Sequence, residues 1–420
     1  MVASTDIKFY VHSNSSAPQL TNNYGCMIDV LDACLVNGFG SQAVSTLTAS
    51  GTTVTATFGS AHNFMQYQVI KITGATQTEY NGEHRILTVL NANSITFQLA
   101  AAPSVSTATG TINVSLPSLS WLKPFGSTGK AAYKSGNENL INRPFLRLVD
   151  QLDPAYNINF AKYAKVGIVE QMSDIDTLQN VQSPYDPSSP NKNWVGTGSG
   201  VTAINGWAKW YYTYSSNSDG TAISDPNATD ANSATNGVRD WYIIGNQDAF
   251  ILAIKLGLTS NHAFSIYGFG KYQSFFDGDV FNDFLASHFF YRAANWGANN
   301  RASYAGLSNN RIADTICLSR RLNNSAENSY GGLTVNGLSV SGQNNVTKSA
   351  SEIGQLISSP VQIWSESVFR GVIPYLRWSY QGKPVGNKGI FIEAGEIYLA
   401  LSTELGSRES GQVFIKIGDL

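Results

Sequence analysis

Short strand-like runs separated by turn residues fill residues 41–116. VSTLTASGTTVTATFG, YQVIKITGA, EHRILTVLN, SITFQLA and TGTINVSL are each rich in Thr, Val or Ile, and Gly, Asn or Ala-Pro breaks lie between them. Strands at this spacing are typical of a small sandwich or barrel. Tyr80-Asn81-Gly82 supplies the positive φ angles that a tight turn between two of these strands needs.

The composition favours the same class of structure along the whole chain. Charged residues make up 13% of the 420 residues, about half the usual ~25%. Ser, Thr, Asn and Gly supply most of the polarity, which suits strands and turns better than long helices. The length allows two or three domains, because cores tend to split beyond roughly 250–300 residues.

Charge and hydropathy exclude several classes of partner. The net charge is −2 and there is no basic block, so we expect no nucleic acid partner. No run approaches the ~18 apolar residues of a membrane span, and no basic segment followed by an apolar core marks a secretory signal. The three cysteines are sparse, and Cys26 and Cys34 would lie ~12 Å apart on a helix, too far for a disulfide. This pattern predicts folding in a reducing cytoplasm.

One helix is predicted, over about residues 24–37, after an extended segment in residues 1–20. Its apolar positions follow the spacing of one helical face: Met27, Val30, Leu31, Cys34 and Leu35. Asn22 or Asn23 can cap its start, and Asn37-Gly38 can end it. The helix either packs on its own domain or is a docking element for a partner subunit.

The region after residue 116 changes in character. A linker is expected between Pro117 and Pro124, followed by short strands rich in Trp, Tyr and Phe. Two long polar stretches, 183–203 and 215–237, interrupt these strands, and such loops are usually disordered or functional. The segment DVFNDFLASHFFYRAANW, residues 279–296, is interpreted as one short helix.

Few residues lie in a pattern suited to catalysis or ligand binding. The sequence identifies no catalytic, cofactor-binding or metal-binding residue. No P-loop, GxSxG, HExxH, CxxC or dinucleotide fingerprint is present. Asp174 and Asp176 would share one face of a strand, and DGDVFND groups several oxygen ligands around a glycine, namely Asp277, Asp279, Asn282 and Asp283. The simpler interpretation of each cluster is an Asx-type turn. The functional alternatives are a Ca²⁺-binding loop and a carboxylate pair that acts on a sugar.

GWAKWYYTY is the richest aromatic run. In a strand, Trp210, Tyr212 and Tyr214 share one face and Trp207 lies on the other. Burial inside a sandwich explains this pattern. The alternative is an exposed ledge that contacts a glycan or another protein, since aromatic rings bring large contact area at low entropic cost.

The stretch from Ala49 to Leu99 resembles a module common in virion proteins of tailed bacteriophages. The matching parts are Ala61-His62-Asn63-Phe64, Ile72-Thr73-Gly74-Ala75-Thr76, Tyr80-Asn81-Gly82 and Ser94-Ile95-Thr96-Phe97. The preceding DVLDACLVNGFG, and the later WLKPFGSTGKAAYKSG, DWYIIGNQDAF, YGFGKYQSFFDGD and FRGVIPYLR, are similar to proteins encoded among phage tail genes. The resemblance implies a virion component of the tail or baseplate and supplies no catalytic residue.

These observations predict a mainly β protein in which an N-terminal helix and a small Ig-like β-sandwich precede a larger β-sandwich-type domain with long loops. The expected units are an extended arm with a docking helix (1–40), the Ig-like sandwich (41–116) and the larger domain (117–420). The expected role is structural, with no enzymatic activity and no cofactor. The protein would be assembled into a virion in the host cytoplasm, through contacts with other virion proteins and with copies of itself.

Two alternatives remain open. One is a tail protein that binds or cleaves a host surface glycan, for which Trp207, Trp210, Tyr212 and Tyr214 are the candidate contact residues. The other is a head decoration or head–tail joining protein.

Overall fold

The computed structural model confirms the mainly β fold class. It describes residues 2–199, 206–213, 233–255, 257–258, 264–290, 302–303, 307, 316–327, 355–366, 368–381, 383–405 and 409–420. Within these residues, six strands form a barrel and the other strands form three sheets.

The chain begins with a short strand and the predicted helix. Strand β1 is Lys8–Val11, helix α1 is Cys26–Leu31, and a π-helical segment continues α1 over Asp32–Asn37. The apolar face predicted for this helix is fully buried within the chain at Met27, Val30, Leu31, Cys34 and Leu35. That face is therefore not available to a partner subunit, and the helix packs on its own chain.

Six strands close into a barrel, so the expected Ig-like sandwich is wrong. They are β2 (Phe39–Ser50), β3 (Thr53–Phe58), β4 (Val69–Ala75), β5 (Gly82–Asn91), β6 (Ser94–Gln98) and β7 (Gly110–Leu116), with a 3₁₀ turn over Thr78–Tyr80. Their order is β2-β3-β6-β5-β4-β7. Strand β2 pairs with β7 through its first residues and with β3 through its last, and β5 divides in the same way between β4 and β6. Two long strands thus join what would otherwise be separate sheets.

The turn before β5 differs in part from the prediction. Gly82 has a positive φ of 123°, but Asn81 is extended, with a φ of −76°. The Asn81 side chain instead donates to Ala75 O at 2.8 Å and accepts from Ala75 N at 3.0 Å. Asn81 therefore closes the turn through its side-chain amide.

Nineteen strands follow the barrel in the described residues. They are β8 (Leu122–Ser127), β9 (Lys130–Lys134), β10 (Phe145–Val149), β11 (Lys162–Met172), β12 (Leu178–Ser183), β13 (Ala208–Thr213), β14 (Trp241–Gly245), β15 (Ala249–Lys255), β16 (Phe264–Lys271), β17 (Gln273–Ser274), β18 (Asp283–Ala286), β19 (His288–Phe290), β20 (Ala302–Ser303), β21 (Ile316–Leu318), β22 (Ser358–Ser365), β23 (Val368–Ser379), β24 (Ile390–Glu393), β25 (Glu396–Leu405) and β26 (Glu409–Asp419).

These strands and β1 form three sheets. The outer sheet has the order β20-β19-β13-β11-β10-β9-β8, with β12 also paired to β11. The central sheet is β1-β14-β15-β16-β18-β21, and the C-terminal sheet is β17-β23-β26-β25-β24, with β22 paired to β23. Because β1 is the edge strand of the central sheet, the N-terminal arm belongs to the same layer as residues more than 200 positions later.

The central sheet is buried on both faces, which makes a three-layer stack instead of the expected two-layer sandwich. In β15, Phe250, Leu252 and Ile254 face the core shared with the outer sheet and the barrel. The alternating residues Ile251 and Ala253 face the core shared with the C-terminal sheet. Both faces of this strand therefore carry apolar side chains from Ala249 to Ile254, and Lys255 is its one charged residue.

The segment over 279–296 is not a helix in its described part. Strands β18 and β19 occupy it as far as Phe290, and the later residues lie outside those that the structure describes. Leu285 faces one core while Phe284 and Ala286 face the other. This two-sided burial gives a continuous apolar run that resembles a buried helix in sequence.

The predicted linker over 117–124 is also wrong. Leu119 and Trp121 are buried, and their N–H groups donate to Cys34 O and Leu35 O, each at 2.9 Å. The segment therefore binds the end of the helical region to the start of the outer sheet. Cys26, Cys34 and Cys317 are unpaired, buried thiols, which confirms the prediction that Cys26 and Cys34 are not bridged.

A buried arginine joins the barrel to the rest of the chain. Arg85 in β5 donates from Nε to Ser4 O at 2.7 Å, from Nη2 to Ile7 O at 2.9 Å, and from Nη1 to Tyr67 O at 2.7 Å and Ile417 O at 2.9 Å. The acceptors belong to the N-terminal arm, the barrel and β26. Burial lowers the pKa of Arg85 to about 10, so the guanidinium stays charged at neutral pH.

A second buried charge caps α1 from a distant strand. Asp150 follows β10, and its Oδ2 accepts from the N–H groups of Gly25 at 2.9 Å and Met27 at 3.0 Å. Its Oδ1 accepts from the Tyr212 hydroxyl at 2.6 Å. The predicted Asn caps are therefore wrong, since Gly25 is the capping residue and makes no side-chain cap bond. Burial raises the pKa of Asp150 to about 7, although these hydrogen bonds oppose the shift.

We expect Asp150→Asn to change how stability depends on pH. An ordinary aspartate has a pKa of 3.8, so the stability contributed by the raised folded-state pKa is complete below about pH 4 and is lost as the pH rises through about 7. The free energy of unfolding of the wild type, relative to the variant, should fall by about 1.4 kcal/mol per pH unit between these values. Urea denaturation from pH 4.5 to 8 measures this difference, and parallel curves for the two proteins would contradict it.

Candidate functional site

The aromatic run does not form an exposed ledge in its described part. Trp207, Trp210 and Tyr212 are 2%, 0% and 0% exposed, and Tyr214 lies outside the described residues. Strand β13 lies inside the outer sheet between β11 and β19. The Trp210 ring packs edge-on against Phe250 of the central sheet at 6.0 Å between centroids, and its Nε1 donates to a backbone carbonyl at 2.8 Å. Trp210 and Tyr212 therefore belong to the core between the outer and central sheets. Trp207 is buried outside that core, and Lys192 Nζ lies 5.0 Å from the centre of its ring.

The first acidic cluster is an Asx-type turn. Asp174 and Asp176 lie in the turn between β11 and β12, and not in a strand. Asp174 Oδ1 accepts from the N–H groups of Asp176 at 2.8 Å and Thr177 at 2.9 Å. The expectation that both carboxylates share one face of a strand is therefore wrong.

The second acidic cluster is divided among internal ion pairs. Asp279 lies 3.1 Å from Arg370, and Asp283 lies 2.8 Å from Lys271, while Asp277 is exposed. Within the part of the chain that the structure describes, no three His, Cys, Asp or Glu side chains are grouped as metal ligands. Among the same residues, no helix has the length and apolar character needed to cross a membrane.

A cleft of about 620 Å³ opens on the face of the outer sheet that points away from the central sheet. Its size lies within the range of ~300–1,000 Å³ that is typical of small-molecule sites. The charged side chains of its lining are Lys130, Arg147, Asp153, Lys165 and Asp176. These residues come from β9, β10, β11, the loop after β10 and the β11–β12 turn.

A gap in the ladder of β11 explains why the chain folds over this face. Strands β12 and β13 pair with opposite ends of β11 and leave its middle without a strand partner on that side. Asn193 fills the gap, since its Nδ2 donates to Val166 O at 2.8 Å and its Oδ1 accepts from Trp207 N at 2.8 Å and Ala208 N at 3.0 Å. The polar stretch after β12 is thereby fixed to the sheet and forms one wall of the cleft.

A glycine in β11 provides space for the tryptophan that supports the cleft. A Cβ atom at Gly167 would lie 2.8 Å from Cη2 of Trp194, so a larger residue would displace the ring. Arg147 is the cross-strand partner of Gly167, and its guanidinium carbon lies 4.4 Å from the centre of a Trp194 ring. Its Nε donates to Ile175 O at 2.9 Å and its Nη2 to Asp176 at 2.8 Å. Its buried Nη1 has no hydrogen-bond partner among the described residues.

A buried ion pair fixes the opposite side of the cleft. Lys165 Nζ lies 2.7 Å from Asp153 Oδ2, and both side chains are almost fully buried. The Asp153 carboxylate also accepts from Gly196 N at 2.8 Å and Ala155 N at 2.9 Å. Burial alone would raise the pKa of Asp153, but the hydrogen bond and charge of Lys165 and the backbone N–H donors bring it below its ordinary value. The carboxylate is therefore ionised at neutral pH.

The second ion pair of the cleft, Lys130 with Asp176, is more exposed to solvent than the first. Lys130 Nζ lies 2.7 Å from each oxygen of Asp176, whose side chain is 55% exposed. The hydrogen bond from Lys130 is the main cause of the lowered pKa of Asp176. Because Asp153 and Asp176 are both held ionised by cations, neither is suited to act as a general acid. Fixed cations beside polar side chains are suited to binding a polar or anionic ligand.

The local sequence pattern does not predict this cleft. The sequence signal for it is a charged residue inside an otherwise apolar strand, namely Arg147 in FLRLV and Lys165 in YAKVGIV. Such residues need a partner when buried. Their partners lie on separate loops, which the local pattern does not identify.

Comparison with known proteins gives no family for this chain. No protein-family model and no curated protein matches it. One solved structure with a reported similarity is the Phage phi92 endosialidase, at 10% sequence identity and a TM-score of 0.15, covering 91% of this chain and 52% of that chain. The chain thus spans about half the length of that structure. A likeness this low supports no inference about fold or activity.

We expect Asp153→Ala to detach the wall of the cleft. The substitution leaves Lys165 buried without its counter-charge and Gly196 N without its acceptor, and breaking a buried ion pair costs about 3–5 kcal/mol. Trypsin should cleave after Lys192 faster in the variant, as followed by mass spectrometry. The control is Asp277→Ala, which removes the same charge at an exposed site. Equal cleavage rates in all three proteins would show that Asp153 does not hold this wall.

Proposed function

We propose that this chain is a structural component of a tailed-phage virion, in the tail or baseplate, that acts through contacts with other virion proteins and copies of itself. The observation that carries the proposal is the role of the residues that resemble the phage module. They form the turns and packing of the closed barrel, and the barrel is bonded to a three-layer β core through Arg85.

The His62 region illustrates this role. Its Nδ1 accepts from Phe64 N at 2.9 Å, its Nε2 lies 3.1 Å from Asn91 O, and its ring stacks on Phe64 at 5.4 Å. Burial is the main cause of its lowered pKa, so the imidazole is neutral at pH 7. A histidine held in this way shapes the loop before β4 and is not available for proton transfer to a substrate.

The surface is compatible with repeated protein–protein contacts. Low charge reduces the desolvation cost of large polar interfaces between copies arranged around a rotational axis. The contact elements that we expect are the stretches 183–203 and 215–237. The first is bonded to the outer sheet by Asn193 as far as it is described, and most of the second lies outside the described residues.

The other sequence-based alternatives are less well supported. A glycan-contacting ledge at Trp207, Trp210 and Tyr212 would need exposed rings, and these rings are buried. A head decoration or head–tail joining protein would need the same adhesive β-surfaces as a tail component. The position of the chain in the particle therefore distinguishes a tail component from a head decoration or head–tail joining protein.

Cryo-electron microscopy and mass spectrometry of particles of the phage that encodes the chain test the proposal. We expect the chain in the tail or baseplate, in a copy number that is a multiple of the rotational symmetry there. Particles made without the gene should lack that density and serve as the control. Absence of the chain from purified wild-type particles, or its location on the head, would overturn the proposal.

A further inference from the structure

We propose that the cleft on the outer sheet binds a carboxylated saccharide, whose carboxylate replaces Asp176 between Lys130 and Arg147. This inference rests on the geometry of the cleft and does not depend on the proposed place of the chain in a virion.

One cation of the cleft is held in place without Asp176. Arg147 is fixed by its bond to Ile175 O and by the Trp194 ring. Lys130 is the backbone partner of Val149 on the neighbouring strand, and its ammonium contacts Asp176. The two charges therefore lie on neighbouring strands of one sheet, where an incoming carboxylate can accept from both.

The Asp176 carboxylate accepts only some of the hydrogen bonds that Arg147 can donate. It accepts from Nη2 of Arg147, while Nη1 has no hydrogen-bond partner among the described residues. Because Asp176 is attached to the turn and also bonds Lys130, it does not make the two parallel bonds that a guanidinium offers. A free carboxylate that displaces it can accept from both Nη atoms.

Asp176 can also leave without unfolding the turn. The turn is closed by Asp174, which accepts from the N–H groups of Asp176 and Thr177. The Asp176 side chain is 55% exposed and Lys130 is 23% exposed, so solvent screens this ion pair and makes it weak. The carboxylate of Asp176 therefore occupies the position that we assign to a ligand carboxylate.

The remaining lining favours a sugar over a bare anion. Gln151, Gln182 and Asn191 present amides suited to hydroxyl groups, and Tyr185 and Val195 present apolar surface suited to the face of a sugar ring. The volume of about 620 Å³ exceeds what a single carboxylate or phosphate fills.

Calorimetric titration of the full chain tests this site. The probes are trigalacturonic acid, its fully methyl-esterified form, a hyaluronan tetrasaccharide and inorganic phosphate. The wild type should bind at least one of the two carboxylated sugars and should bind neither the ester nor phosphate comparably. Asp176→Asn removes the internal competitor, so it should bind that sugar on the order of tenfold more tightly.

Two further variants control the experiment. Lys130→Gln should lose most of the binding, and Asp277→Asn, which removes the same charge outside the cleft, should bind as the wild type does. Thermal unfolding of each variant establishes that it is folded. Equal affinity of Asp176→Asn and wild type, equal binding of ester or phosphate, or no binding of either carboxylated sugar by both proteins would overturn the proposal.

Discussion

The buried guanidinium of Arg85 connects three parts of the chain that are far apart in sequence. Four of its five N–H groups donate to backbone carbonyls of the N-terminal arm, the barrel and the last strand. Loss of such a donor would leave buried carbonyls unsatisfied, which costs about 1–3 kcal/mol for each group. Gly418 is part of the same arrangement, because a Cβ there would lie 2.4 Å from the Arg85 guanidinium carbon. The barrel and the layered core are therefore bonded into one structure.

The two-sided central sheet determines where function can be placed. With both of its faces covered, the exposed sheet faces among the described residues belong to the barrel, the outer sheet and the C-terminal sheet. The outer sheet has one face on the core, and its other face carries Arg147 and Lys165 among apolar neighbours. These cations lie on strands whose opposite face packs on the core, so the sheet beneath the cleft is held in place. A preorganised surface of this kind loses less conformational entropy when it binds a ligand or a partner.

The sequence predicts local structure well where one face of an element is exposed. The sequence predicts the helix over 24–37 and the barrel strands because their apolar residues recur at the helical period of 3.6 and the strand period of 2. In WYIIG and AFILAIK both faces are buried, so the alternation that would reveal the layering is absent. The sequence pattern of 279–296 resembles a helix for the same reason.

Local sequence patterns do not predict contacts between residues that are far apart in the chain. Asp150 caps a helix that begins 124 residues earlier, at Cys26, and no Asn near the helix start takes that role. Closure of the barrel depends on how β2 and β5 divide their pairing, which turn residues do not encode. In the cleft, the charges of Arg147 and Lys165 were visible in the sequence, but their partners Asp176 and Asp153 are fixed by the fold.

Native-state hydrogen exchange of the wild type and Gly418→Ala tests the central claim most directly, with Gly386→Ala, where the added Cβ meets open space, as the control. If Arg85 makes the barrel and the core one cooperative unit, amides of β1, β5 and β26 exchange through a shared opening. Gly418→Ala should then lower the opening free energy of all three strands by the same amount. A change confined to β26, with the barrel amides unaffected, would contradict the account.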